Sequence, residues 1–265
     1  MHPVLTTVHI GAAELPIASY GVLLACALLV GGLGTLHAAR SSAGQAPPFE
    51  LGAVISALGL AIAFGFAGAF AVHAAAQIAR TGTLSAALEQ PGVSVLGALL
   101  GGAAAVVLSA RWLGFSAPAL LLLDYAVPWV ALAQAIGRVG CLLGGCCYGI
   151  TSHSAWAVSY PASDPLGAGA QRLPVPLLEA AALLALALLY ARKPSWLAPK
   201  LSAPGASAAS YLALYALVRL ALEPLRGDAV RGVYLGGLVS TAQLLACVVL
   251  AFAIGFLRRR SSSRR

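Results

Sequence analysis

Five ionisable residues stand within otherwise apolar stretches of this sequence: Asp124, Arg138, Glu179, Arg219 and Glu223. A charge inside a bilayer costs about 2.5–3.5 kcal/mol on insertion scales, so each needs a partner or a chemical task. Arg219 and Glu223 lie four positions apart and would share one helix face. The bland reading is an ion-pair network that pins helices together. The sharper reading turns on Arg138 and Arg219, both expected near the same membrane surface. Arginine stays charged and forks onto phosphate oxygens, so the pair could hold one lipid phosphate between helices. The second chemical feature is the stretch from Gly137 to Gly149, with five glycines in thirteen residues and three of the five cysteines, Cys141, Cys146 and Cys147. Such a stretch breaks a helix and lets backbone approach a ligand. A metal or redox site is one reading of the cysteines. The spacing is not Cys-x-x-Cys and no His pair accompanies it, which favours small apolar packing and no metal. A disulfide stays open.

The elements that must position these groups follow from composition. The 265 residues are 60% hydrophobic and 9% charged, with a mean hydropathy of +0.89. Soluble domains carry about 25% charged residues. That excludes an ordinary soluble enzyme, a disordered chain and a disulfide scaffold, and leaves an all-α integral membrane protein. About seven apolar stretches could span, near 16–37, 50–76, 93–110, 117–140, 174–191, 208–225 and 235–257. They make one polytopic membrane domain, 1–257, followed by a basic cytoplasmic tail, 258–265. The formal charge of +8 does not imply nucleic acid, because five arginines crowd into the last eight residues. A basic juxtamembrane tail fixes topology and touches anionic lipid. With seven spans and a cytoplasmic C-terminus, ten of the sixteen Lys and Arg residues fall inside, which favours N-out/C-in. Leu-Leu-Ala-Cys at Cys26 resembles a lipoprotein cleavage box, but the same string recurs at Cys247 and both are read as chance. A small transporter fits the span count, yet no inverted repeat accompanies it.

Taken together, the motifs resemble those of the prolipoprotein diacylglyceryl transferase family, in its Cys-rich branch. Met1-His-Pro-Val-Leu and Ile17-Ala-Ser-Tyr-Gly21 match the family's opening. Gly137-Arg-Val-Gly140 matches its Gly-Arg signature, with Cys-Cys-Tyr-Gly149 closing the stretch. Glu223, Arg226-Gly-Asp228 and Arg231-Gly232 match the sixth span and its outer loop, and Leu238-Val-Ser-Thr-Ala-Gln243 the start of the last span. The resemblance implies a transferase of the bacterial cytoplasmic (inner) membrane. Its substrates would be phosphatidylglycerol and the lipobox Cys of a prolipoprotein signal peptide, with no cofactor. It implies Arg138, Arg219 and Glu223 as catalytic residues, the two arginines clamping phosphate and Glu223 orienting Arg219 or pairing with Arg226. It implies Tyr20, Gly149 and Arg226, with both arginines, as substrate contacts.

The departures from the family pattern are specific. A span-three His-Gly-Gly or Tyr-Gly-Gly is Leu96-Gly-Ala98 here, so Leu96 stands where a base or hydrogen-bonding group is expected. The Asn after Gly-Arg-x-Gly is Cys141. Of a His-Pro-x-Gln-Leu-Tyr-Glu stretch only Pro174, Leu177 and Glu179 remain, and the second-span Gly-Gly-Arg has no arginine. The alternative reading is therefore a non-catalytic descendant that binds lipid or a partner. His73 is the one span histidine able to replace the base, against a plain packing role.

Overall fold

The structure is a computed structural model that describes residues 3–10, 13–41, 49–83, 85–89, 92–115, 117–160, 169–195, 197–228, 232–234 and 239–262. Arg231 and the end of the basic tail, including Arg264 and Arg265, lie outside the described residues.

Helices form where the apolar stretches run unbroken. They are α1 (Ser19–Arg40), α2 (Leu51–Thr81), α3 (Ser85–Glu89), α4 (Val95–Ser109), α5 (Ala119–Leu143), α6 (Val175–Arg192), α7 (Ala206–Leu222) and α8 (Thr241–Ser262). Six of them, α1, α2, α5, α6, α7 and α8, are long and apolar enough to cross a membrane. The third expected span is α4, whose 15 residues reach about 22 Å, short of a bilayer core of about 30 Å. The sequence reading foresaw no strands. Residues ahead of α1 instead pair as an antiparallel hairpin, β1 (Val4–Ile10) with β2 (Ala13–Ala18), so α1 begins at Ser19 rather than near residue 16.

The described chain forms two compact units, and α1, α5 and α7 each contribute to both. Unit 1 takes residues 1–31, 128–192 and 221–228. It contains the hairpin, the start of α1, α5 from Pro128 onward, α6, and the loop between α5 and α6. That loop carries the short pair β3 (Val158–Ser159) and β4 (Gln171–Arg172). Small residues let α1 lie close on α5. A Cβ added to Gly31 would meet Ala133 at 3.3 Å, and one on Gly140 or Gly144 would meet Tyr20 at 3.4 or 3.5 Å. Small residues four apart are what allow such backbone approach.

Unit 2 takes residues 32–127, 193–220 and 229–265. Its central contact is α2 on α4, again through glycine. A Cβ on Gly68 would stand 2.5 Å from the Gly97 carbonyl, and one on Gly101 would strike the Phe64 carbonyl. The two-stranded pair β5 (Val233–Tyr234) and β6 (Val239–Ser240) precedes α8. Asp124, one of the five ionisable residues, has a structural task here. Its carboxylate accepts from the backbone N–H of Gly205 (2.6 Å) and of Ala208 (2.8 Å). These donors open α7, whose first N–H groups have no partner inside the helix. A negative charge there also suits the helix dipole. Gly205 sits at φ +85, in the left-handed region, as the turn into α7 requires. His73 has its ring against Gly92, where an added Cβ would collide with it at 2.5 Å.

Candidate functional site

Unit 1 buries three arginines and three carboxylates where apolar helices give way to the loops beyond them. Arg138, Arg172 and Arg226 are buried, as are Glu179, Glu223 and Asp228. Formally the three positive and three negative groups balance. Arg138 comes from the last part of α5 and points to α6, where its Nη2 meets Glu179 Oε1 at 2.9 Å. Glu179 is completely buried, so this ion pair crosses between two helices away from water. One such group alone would be very costly, whereas a paired and hydrogen-bonded one is tolerated.

Arg226 is held differently. The α-helix of α7 stops at Leu222, and Glu223 opens a 3-10 turn, Glu223–Leu225, with Pro224 behind it. The expectation that Glu223 continues the α7 helix is thus corrected, because proline cannot extend the helical ladder. Arg226 leaves the turn in extended backbone. In extended chain, residues i and i+2 share a side. Its Nε (2.9 Å) and Nη2 (2.6 Å) both donate to Asp228. The Arg226 backbone N–H donates to the Glu223 carbonyl at 3.1 Å. Burial opposes the Arg226 charge, but the Asp228 hydrogen bonds and charge raise its pKa above the ordinary arginine value.

Backbone joins these two sources. Gly149 and Arg226 form an antiparallel bridge, and Thr151 and Arg172 form another. The Gly149 N–H donates to the Leu173 carbonyl (2.9 Å), Ile150 to Leu225 (2.9 Å) and Gly227 to Tyr148 (3.1 Å). Gly149 sits where these chains converge. A Cβ there would stand 2.6 Å from the Leu173 carbonyl oxygen and 2.8 Å from the Val175 side chain. The Arg172 guanidinium lies 4.3 Å from the centre of the Tyr148 ring, which meets Tyr160 edge-on at 5.5 Å. Burial pushes the Tyr160 phenol up, so it stays neutral, and its buried hydroxyl has no hydrogen-bond partner among the described residues.

At the end of α5 the chain reverses. Gly145 (φ +72) and Cys147 (φ +57) adopt left-handed backbone, and the Cys146 N–H returns to the Cys141 carbonyl at 3.0 Å. The three sulfurs of Cys141, Cys146 and Cys147 then lie within 4.8 Å of one another. Hydrogen bonds from Cys141 and Cys146, helped by the nearby Arg138 and Arg226 charges, hold the Cys147 thiol well below its usual range although burial works the other way. Tyr20, in the first turn of α1, packs on Gly140 and Gly144 beside this reversal. One helical turn before Arg138, the Gln134 amide is buried, with neither its oxygen nor its nitrogen hydrogen-bonded among the described residues.

Of the catalytic and substrate-binding residues expected from the sequence, unit 1 contains Tyr20, Arg138, Gly149, Glu223 and Arg226. Arg219 is buried in the last turn of α7 and belongs to unit 2, as does Leu96, 3% exposed in α4. Sequence reasoning missed Asp228 as the partner of Arg226, the Arg172–Tyr148–Tyr160 stack and Gln134. An Arg-x-Asp string in a loop was the available signal for the first. The loop stack had no signal, since its pairing depends on strand register.

A family model described as prolipoprotein diacylglyceryl transferase matches residues 6–259. Among curated relatives, a phosphatidylglycerol–prolipoprotein diacylglyceryl transferase 2 of Clostridium perfringens is 33% identical over 162 residues, 60% of this chain and 59% of the relative. A phosphatidylglycerol–prolipoprotein diacylglyceryl transferase of Dehalococcoides mccartyi is 33% identical over 180 residues, 68% of this chain and 66% of the relative. One of Synechococcus sp. is 31% identical over 217 residues, 79% and 75% of the two chains. The chain thus spans less than two thirds of the length of the first two.

Proposed function

Since the chain belongs to the prolipoprotein diacylglyceryl transferase family, we propose that it transfers the diacylglyceryl group of phosphatidylglycerol to the lipobox Cys thiol of a prolipoprotein signal peptide. The observation that carries this reading is the pair of buried guanidinium groups, Arg138 held by Glu179 and Arg226 by Asp228. Both belong to one compact unit, and Gly149 links the α5 loop to Arg226.

In the reaction the acceptor thiol gives up its proton, and its sulfur forms a bond to the glyceryl carbon. The carbon–oxygen bond to phosphate breaks, and glycerol phosphate leaves with the electron pair. Negative charge grows on phosphate oxygens, so fixed cations that stabilise it lower the barrier. Arg138 and Arg226 supply such cations, pre-oriented by their carboxylates. Glu223 orients the guanidinium groups of this unit, and Tyr20 shapes the site beside Gly140. The protein works in the bacterial cytoplasmic membrane with seven spans, α4 included, its N-terminus outside and its basic tail inside.

The test is complementation of a strain depleted of its own diacylglyceryl transferase, with transfer of labelled phosphatidylglycerol measured on the purified chain. Growth and thioether-linked product are expected. A folded protein that binds phosphatidylglycerol and transfers nothing would overturn the proposal in favour of a lipid-binding descendant.

A further inference from the structure

The three cysteines at the end of α5 have no part in the transfer step described above, yet they are gathered more closely than packing requires. Cys141 is buried on the helix, Cys146 is exposed and Cys147 half-buried. Two left-handed residues, Gly145 and Cys147, fold the chain back so that positions five and six residues on return to Cys141. A side chain other than glycine rarely adopts this backbone, and at Cys147 it brings the third sulfur within 4.8 Å of the other two. Metal–sulfur bonds of about 2.3 Å around one tetrahedral or trigonal centre place sulfurs roughly 4 Å apart. The spacing is already close to that.

We propose that Cys141, Cys146 and Cys147 form a three-sulfur site for one thiophilic d10 cation, Zn(II) or Cu(I), with the remaining position open. Thiolate sulfur selects such ions over hard cations. Among the described residues, the cluster with metal-ligand geometry consists of these three cysteines alone, so no imidazole or carboxylate competes within it. Binding releases the remaining thiol protons to solvent as metal–sulfur bonds form. The complex then carries net negative charge, which Arg138 and Arg226, both within electrostatic reach of Cys147, offset. The exposed face of Cys146 gives the ion an entry path. The absence of Cys-x-x-Cys spacing misleads here, because a reversed helix end, rather than a zinc-knuckle turn, assembles the ligands. The proposal concerns binding alone and does not depend on the transferase reading.

The experiment uses the full chain, purified in detergent and fully reduced under anaerobic conditions. Zn(II) and Cu(I) are titrated separately against chromophoric competitors, and bound ion is counted. Cysteine alkylation is then mapped by peptide mass spectrometry with and without metal, on the unaltered chain. One equivalent of at least one of the two ions is expected, with Cys141, Cys146 and Cys147 protected and Cys26 and Cys247 still alkylated. Cys141→Ser and Cys147→Ser should each weaken binding at least tenfold, and Cys26→Ser should not. Neither ion bound, or protection confined to Cys26 and Cys247, would overturn the proposal. So would a disulfide joining Cys141 to Cys146 or Cys147 in protein taken from membranes without reductant, because it removes two of the three ligands.

Discussion

Arg138 on α5 and Glu179 on α6 meet at 2.9 Å in a setting where the carboxylate side chain is 1% exposed. The pair ties two membrane helices together and fixes the direction of the Arg138 guanidinium. Removing one partner breaks an ion pair buried between two helices. Glu179→Ala should therefore destabilise the protein by about 3–5 kcal/mol, read as a fall in thermal midpoint in detergent. Arg138→Lys keeps the charge and loses the fork. It should keep most of the stability and lose most of the transfer activity. Full activity in Arg138→Lys would remove Arg138 from the phosphate site.

Arg226 and Asp228 should behave as a unit. Arg226→Lys and Asp228→Asn each break the forked pair, one at the cation and one at the anion. Each is expected to weaken phosphatidylglycerol binding about tenfold, equivalent to about 1.4 kcal/mol. The double variant should be little worse than either single one, because groups acting as one unit are non-additive. Strict additivity in this cycle would show that the two side chains act separately.

Gly149→Ala tests the backbone junction. The added methyl would sit 2.6 Å from the Leu173 carbonyl oxygen, and backbone must move to admit it. A loss of about 1–3 kcal/mol is expected from overpacking, with a larger proportional loss of transfer because Arg226 is bridged to the same residue. An unchanged thermal midpoint would mean that the loop yields freely and that the junction does not position Arg226.

Glu223→Gln distinguishes an orienting carboxylate from a base. Glu223 is buried, at 1% exposure, in the unit that also buries Arg138, Arg172 and Arg226. Loss of its negative charge should weaken lipid binding and stability together. Intact phosphatidylglycerol binding with abolished transfer would instead identify Glu223 as the acceptor of the thiol proton.

Gln134→Leu should separate stability from function. A buried amide left without hydrogen bonds costs about 1–3 kcal/mol, and Gln134 has none among the described residues, so leucine of similar size should raise the thermal midpoint. If the amide serves substrate, one turn from Arg138, the same change should lower transfer. A stabilised variant with undiminished transfer would leave Gln134 without a role in the reaction.

Much was legible in the sequence because membrane insertion writes itself into composition. Unbroken apolar stretches announced the seven helical regions, since hydrocarbon admits backbone only when its hydrogen bonds are satisfied locally. Arg138 and Glu223 stood out for the complementary reason, that charge in such stretches is too costly to be incidental, whereas Arg226 was named only through the family resemblance. Partners were another matter. That Arg138 turns to Glu179, that Arg226 turns to Asp228 and that Asp124 caps α7 at Gly205 depend on which helices and loops lie side by side. The gathering of Cys141, Cys146 and Cys147 likewise needed the left-handed turn at Gly145 and Cys147, which linear spacing does not reveal. Local pattern reports the cost of placing a group in the membrane, whereas the neighbour that offsets that cost comes from distant chain, and only tertiary packing chooses it.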